Sequence, residues 1–259
     1  MKTKSICTFL LVLFLFFAGC GDLDRTNPLD PQNPDSIRGE TVLVESFVNE
    51  SGGSVIESSV NAFEKILNDY GPEAFIYMEH HLENTKGTDA HALDASRSRY
   101  LTLVPQTAEQ AIPDVFFNGI QARVQGASDE ESAYLRYNTE LEKELGRQTT
   151  FTIEAAAQLR GDNISVSAKI AKLGNTDAKD VVVHLAVTEK VSGQIRKIVR
   201  AFIPVDTIGD LKHGELKSLN RDVAILPDWD PNDLEIVVIV HNSRTLIVYQ
   251  SERADLKFN

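Results

Sequence analysis

The spacing of apolar residues changes character at residue 148, and that change limits what the chain can become. Before it, apolar side chains recur at helical intervals between short apolar runs. Thr41–Phe47 (TVLVESF) reads as a buried strand. Val60, Phe63, Ile66, Leu67 and Tyr70 form one face of a helix capped by Ser58 or Ser59 and stopped by Gly71-Pro72. Ala74–Met78 reads as a second strand, and a weaker helix spans Asp94–Val104, using Tyr100, Leu101 and Val104. Asp114–Phe117 reads as a third strand between Ile112-Pro113 and Asn118-Gly119. A third helix follows: Ser128 and Glu131 form a capping-box pattern, and Tyr134, Tyr137, Leu141 and Leu145 line its apolar face up to Gly146. Alternation of strand and helix predicts an α/β unit over 41–147.

After Gln148 the period becomes two. Ile153, Ala155, Ala157 and Leu159 alternate with polar residues, as do Ile164, Val166, Ala168 and Ile170 beyond the turn Gly161-Asp162-Asn163. Val181 to Val187 continues the alternation. Further strands are expected at Arg196–Pro204, Glu215–Ile225, Leu234–Val240 and Thr245–Gln250. Seven short strands in this space predict an antiparallel, immunoglobulin-like β-sandwich over 148–259. No cysteine lies beyond residue 20. Apolar packing alone must therefore hold the two sheets together, and both thiol redox chemistry and cysteine-ligated metal are excluded.

The N-terminus carries an address. Lys2 and Lys4 precede an uncharged apolar run from Ile6, which ends in Phe17-Ala18-Gly19-Cys20. A basic start, a short apolar segment and small residues make a secretory signal. The arrangement resembles the bacterial lipoprotein signal, with Phe17 in place of the usual Leu. It implies cleavage after residue 19, lipid on Cys20 and a membrane anchor of several acyl chains. Fourteen apolar residues are too few for a bilayer span, which needs about 20. Gly21 follows the cysteine, where the inner-membrane retention signal of enteric bacteria has Asp, so the outer membrane is the expected address. Residues 21–40, with three prolines and many Asp and Asn, read as an extended linker that could reach roughly 60 Å.

Cleavage at that point removes Lys2 and Lys4 from 26 basic residues and leaves 24 against 38 acidic ones, a net charge of −14. Such a surface repels nucleic acid and anionic headgroups, so the expected partners are the membrane, through the lipid, and an envelope protein.

The α/β half resembles a thioredoxin fold. VLVESF leads into the loop and helix where thioredoxin-like proteins hold CxxC, and Ile112-Pro113 before DVFFNG is similar to that fold's cis-proline, strand and glycine turn. With IVRAFIP at 198–204 and LEIVVIVHNSRTLIVYQSE at 234–252, nearly all of 41–255 resembles bacterial outer-membrane lipoproteins that join a thioredoxin-like domain to a β-sandwich. The place of the thiol motif holds Ser51-Gly52-Gly53-Ser54. A serine hydroxyl is too weak an acid to replace a thiolate. The resemblance therefore implies a scaffold without redox activity, with a peptide groove formed by Ser51, Gly52, Gly53, Ser54, Ile112 and a cis Pro113.

Two clusters invite a metal. His80, His81 and His91 lie among Glu79, Glu83 and Asp89, but neighbours on a strand point to opposite faces, so His80 and His81 cannot both ligate while the strand continues. Asp228–Glu235 has the acidic spacing of a calcium loop without its glycine or its final glutamate, and a turn bearing Trp229 is the expected reading. Ser51–Ser54 could also offer backbone amides to an anion. Hydrolase, nucleotide-binding and zinc-protease signatures are absent from the sequence, and no cofactor is implied. The sequence favours a non-catalytic binding or structural module. Its alternative is a metal- or small-ligand-binding protein or enzyme using the His80, His81 and His91 region.

Overall fold

The structure, a computed structural model, describes residues 33, 37–83, 89–254 and 256–258. The signal, Cys20 and nearly all of the linker lie outside the described residues. Among those described, no helix is long and apolar enough to cross a membrane.

Three α-helices fall between residues 54 and 145, and strands dominate the rest. In chain order the elements are β1 (Arg38–Gly39), β2 (Leu43–Val48), α1 (Ser54–Tyr70), β3 (Ile76–His81), α2 (Asp94–Leu103), β4 (Asp114–Phe117), β5 (Ala122–Gln125), α3 (Glu130–Leu145) and β6 (Gln148–Thr149). There follow β7 (Phe151–Arg160), β8 (Asn163–Lys172), β9 (Ala178–Lys190), β10 (Lys197–Leu211), β11 (Leu216–Ala224), β12 (Leu234–Asn242), β13 (Val248–Ala254) and β14 (Leu256–Lys257).

One eight-stranded sheet, in the order β13-β12-β9-β10-β3-β2-β4-β5, runs through both halves of the chain. β2 and β3 are parallel, with Val48 opposite His81 at their carboxyl ends. β4 and β5 continue antiparallel. The halves join where β10 meets β3 in parallel, Ile198 opposite Glu79. A second sheet, β11-β8-β7-β14, faces the β9–β12 part of the first. Ile164, Val166 and Ile170 of the smaller sheet pack there against Val183, Leu185, Ile236 and Val238 of the larger.

The pleat assigns the remaining side chains. Val44, Tyr77, Val115 and Phe117 point to the face covered by α1 and α3, where they meet Phe63, Ile66, Tyr137 and Leu141. Phe47 and Phe116 point to the opposite face and pack under Tyr100 and Leu103 of α2. That face continues across the junction through Met78, Ala186, Val199, Phe202, Val237 and Ile239. α2 therefore lies over the seam between the two halves.

Two expected helix starts are corrected. α1 begins at Ser54 behind Gly53, whose φ of 67° turns the chain into the helix. Ser59 is buried mid-helix, its hydroxyl 2.9 Å from that of Tyr137. α3 is capped by Asp129, which accepts from the Ser132 amide at 2.9 Å, because a carboxylate one residue on from Ser128 reaches the free amides. The β4–β5 hairpin was not expected; Asn118 and Gly119, both at positive φ, turn the chain back. Trp229 is packed into the core between the sheets.

Candidate functional site

The carboxyl ends of parallel strands are where open α/β sheets present their sites. Here β2 and β3 end side by side, and the chain leaves β2 through Asn49. Its side-chain amide donates to the Leu82 carbonyl, and its Oδ1 accepts from the Ser51 amide at 2.8 Å. A 3-10 turn, Glu50–Gly52, then leads through Gly53 into α1. This is the turn where the resemblance puts a redox thiol. Ser51, Gly52, Gly53 and Ser54 are exposed on it. Pro113 is cis and buried, its carbonyl accepting from Gly126 N at 2.7 Å, and Ile112 packs beside the Phe47 cluster.

β3 continues through His81, so its two histidines do lie on opposite faces. His80 turns toward α2, with Nδ1 3.1 Å from Ser96 Oγ, and is not among the ligand-bearing residues that gather round His81 among the described residues. His81 lies on the α1 face beside Glu79. Its Nε2 is 2.9 Å from Glu79 Oε1, and its Nδ1 is 2.8 Å from Asp89 Oδ2. Glu79 is held in turn by Arg196 Nη1 at 2.6 Å and by the Tyr77 hydroxyl at 2.9 Å. Asp89 accepts the backbone amides of Glu50 and His91, each at 2.9 Å. The loop before α2 is thereby pinned to the turn after β2.

Electrostatics follow from these contacts. Burial opposes the charge on His81, but the hydrogen bond and charge of Glu79, with Asp89 beyond, hold its pKa above the ordinary value. Burial would raise Glu79; hydrogen bonding from His81 and the Arg196 charge outweigh it and hold the carboxyl at about 2. Glu50 carries a carboxylate into the same space. One ligand atom from each of Glu50, His81 and Asp89 lies within 4.8 Å of the other two. His91 stands beside this group, its ring centroid 5.4 Å from that of His81, while Arg200 Nη1 approaches its Nδ1 at 3.3 Å. The acidic run at 228–235 forms no such group: Asp228 pairs with Arg200, and Asp230 caps a 3-10 turn.

On the other face, a cleft of about 460 Å³ opens between α2 and the strands, lined by Arg99, Thr102, His184, Phe202, His241 and Leu246 among others. His184 Nδ1 and His241 Nε2 are 2.8 Å apart, so the pair shares one ring proton between them. Burial, and for His184 the neighbouring His241, lowers their pKa values to about 3 and about 4. Both rings are neutral at physiological pH.

No protein-family model and no curated protein matches the chain. Solved structures do. HBP35 of Porphyromonas gingivalis superposes with a TM-score of 0.63 at 12% identity, covering 84% of this chain and 76% of that one. The likeness is one of fold. A protein from Agrobacterium tumefaciens aligns with a TM-score of 0.50 at 14% identity, covering 84% of this chain and 95% of that one. A domain of the outer membrane lipoprotein Omp28 from Porphyromonas gingivalis aligns over 42% of this chain and 89% of its own at 19% identity, with a TM-score of only 0.35.

Sequence reasoning found Glu79, His81, Asp89 and His91 but missed Glu50. The signal was present: if the strands before Asn49 and Leu82 are parallel neighbours, the residues just after them converge. Glu45, Arg99, His184 and His241 were missed as well, although a charge in VLVESF and histidines within apolar strands were visible signs.

Proposed function

We propose that the chain is a lipid-anchored protein of the bacterial envelope that acts as a binding or structural module rather than a catalyst. Its thioredoxin-like part, residues 41–147, and its immunoglobulin-like sandwich, residues 148–259, present surfaces to another envelope protein. The observation that carries this reading is the turn after β2. Where the resembled fold needs a thiolate, this chain has Asn49, Glu50 and Ser51 in a closed hydrogen-bonded turn, and no cysteine follows residue 20. The anchor rests on Phe17-Ala18-Gly19-Cys20, and the fold likeness to HBP35 is compatible with it. Two contact surfaces fit a protein partner. One is the exposed turn Ser51–Ser54 near the strand ends; the other is β11, which among the described residues pairs only with β8, so that its outer edge is a candidate for strand addition.

The test is fatty-acid labelling and crosslinking of the tagged full-length protein in intact cells. The reading expects label that disappears in Cys20→Ala, and one dominant envelope protein crosslinked through β11 or the Ser51 turn. Label retained by Cys20→Ala would refute the anchor. Recovery of the protein alone, or crosslinks confined to other surfaces, would refute the module as described.

A further inference from the structure

We infer that Glu50, His81 and Asp89 form a site for one divalent transition-metal cation of zinc's chemical class. This inference does not depend on the binding role proposed above. A tetrahedral zinc with ligand bonds of about 2.0–2.1 Å separates its donor atoms by roughly 3.3 Å. The three donors here already stand within 4.8 Å of one another, and His81 Nδ1 and Asp89 Oδ2 lie 2.8 Å apart. The tetrahedral spacing of roughly 3.3 Å falls between the 2.8 Å of His81 Nδ1 and Asp89 Oδ2 and the 4.8 Å that bounds all three donors. Three protein donors would leave a fourth tetrahedral position for water or a ligand atom.

The surroundings of His81 decide between an ordinary ion pair and a ligand set. Metal-bound histidines donate their second ring N–H to a carboxylate, which fixes the tautomer and aims the free nitrogen at the cation. His81 has that arrangement: Nε2 faces Glu79 at 2.9 Å, and Nδ1 faces Asp89 and the space beside Glu50. Glu79 is 2% exposed and is oriented by Arg196 and Tyr77, so the histidine is held from behind by a rigid group. Asp89 is oriented by two backbone amides whose hydrogen bonds leave each oxygen a further lone pair. The donors come from three elements: the turn after β2, the end of β3 and the loop before α2. A cation there clasps that loop to the turn. His91 is not assigned as a ligand. Arg200 donates to its Nδ1, which leaves the proton on Nε2, the nitrogen nearer Glu50. Mixed nitrogen and oxygen donors suit zinc better than calcium or magnesium, which prefer oxygen alone.

Full-length protein in detergent, stripped with chelator, is titrated with zinc chloride by calorimetry and then analysed for zinc after gel filtration. One zinc per chain is expected. Asp89→Asn and Glu50→Gln should each weaken binding at least tenfold, and Glu79→Gln tenfold to a hundredfold although it removes no ligand. His213→Gln removes the exposed histidine paired with Asp177 and should leave binding unchanged. Glu50 is exposed, so its variant keeps the fold even if a buried one does not. Less than half an equivalent of zinc on the wild type overturns the inference. So does wild-type affinity in Glu50→Gln, or a loss in His213→Gln equal to that in Asp89→Asn.

Discussion

Breaking the ion pair between Glu45 and Arg99 by removing one partner should cost the fold more than breaking any exposed charge pair, and a double-mutant cycle measures the coupling between the two. Glu45 is 0% exposed and Arg99 4%. Arg99 grips the carboxylate side-on, Nε to Oε1 at 2.9 Å and Nη2 to Oε2 at 2.8 Å. His80 adds Nε2 at 3.5 Å, and the guanidinium carbon lies 5.4 Å from the ring centroid of Phe202 on β10. The pair thus ties β2 to α2 and presses α2 onto the seam between the halves. Removing one member leaves a buried charge uncompensated, which costs about 3–5 kcal/mol. Arg99→Met should reach the upper part of that range and Glu45→Gln the lower, since glutamine keeps a neutral acceptor for the guanidinium. In the double variant no charge is stranded, so it should cost at least about 2 kcal/mol less than the two single losses added together.

Urea unfolding of the detergent-solubilised protein reads these values through Trp229, the single tryptophan, which is packed in the core between the sheets. Each single variant should shift the midpoint down by about 1–2 M. The pH dependence supplies an independent check. Burial alone would raise the Glu45 pKa; the Arg99 charge and hydrogen bonds, with His80, outweigh it and place the carboxyl well below its unfolded value of 4.5. A depressed folded pKa means that the stabilisation is fully present above pH 4.5 and is lost as pH falls below that value. Wild type should lose stability on acidification through this window, and Arg99→Met should lose less. Single variants costing under 1 kcal/mol, or costs that simply add, would refute the reasoning.

Two further perturbations test other contacts. Glu40 has the opposite electrostatics: burial, only partly offset by Arg147, raises its pKa to about 7, and among the described residues its Oε1 has no hydrogen-bond partner. Folded protein holds that proton more tightly than unfolded chain, so stability falls as pH rises from 4.5 to 7. Glu40→Gln should therefore raise stability by about 1–2 kcal/mol at pH 8, after allowance for solvent screening at this partly exposed group, and change little at pH 5. Thermal melts at the two pH values check this, and a larger gain at pH 5 would contradict it. Gly119, at a φ of 69°, lies so close to the loop between β12 and β13 that an added Cβ would fall 2.0 Å from the Leu246 carbonyl oxygen. Gly119→Ala should cost more than about 2 kcal/mol by urea midpoint. Gly126→Ala, at a φ of 75° with open space around it, should cost only the backbone strain of about 1–2 kcal/mol. Equal losses would show that the contact with Leu246 is unimportant.

How much of this was legible in the sequence depends on how far apart the interacting residues lie. Local spacing predicts β4 at Asp114–Phe117, where it lies, and the β7–β8 hairpin from alternation around Gly161-Asp162, because both depend on near neighbours. The apolar pattern predicts a strand that ends at Pro204, yet β10 continues to Leu211. Its register is irregular between Pro204 and Asp206, and irregularities are where a strand accommodates proline. That β10 would join β3 could not be read, because Ile198 and Glu79 lie 119 positions apart and nothing local links them.

The weak signal of α2 has the same origin. Its buried face carries Ser96 and Arg99 beside Tyr100 and Leu103, so a count of apolar residues at helical spacing undervalues it. The polar members are buried because their partners are brought to them from other elements. Ser96 meets His80, and Arg99 meets Glu45, 54 positions away. A charge within an otherwise apolar strand such as VLVESF already states that an opposite charge must be buried against it, since an unpaired carboxylate cannot remain ionised in a core. The sequence thus contained the requirement, and the parallel pairing of β2 with β3 under α2 determines which of the basic residues meets it. The same logic applies to Glu79 on the other face, where the requirement is met by Arg196 from just before β10 and by His81 at the end of its own strand.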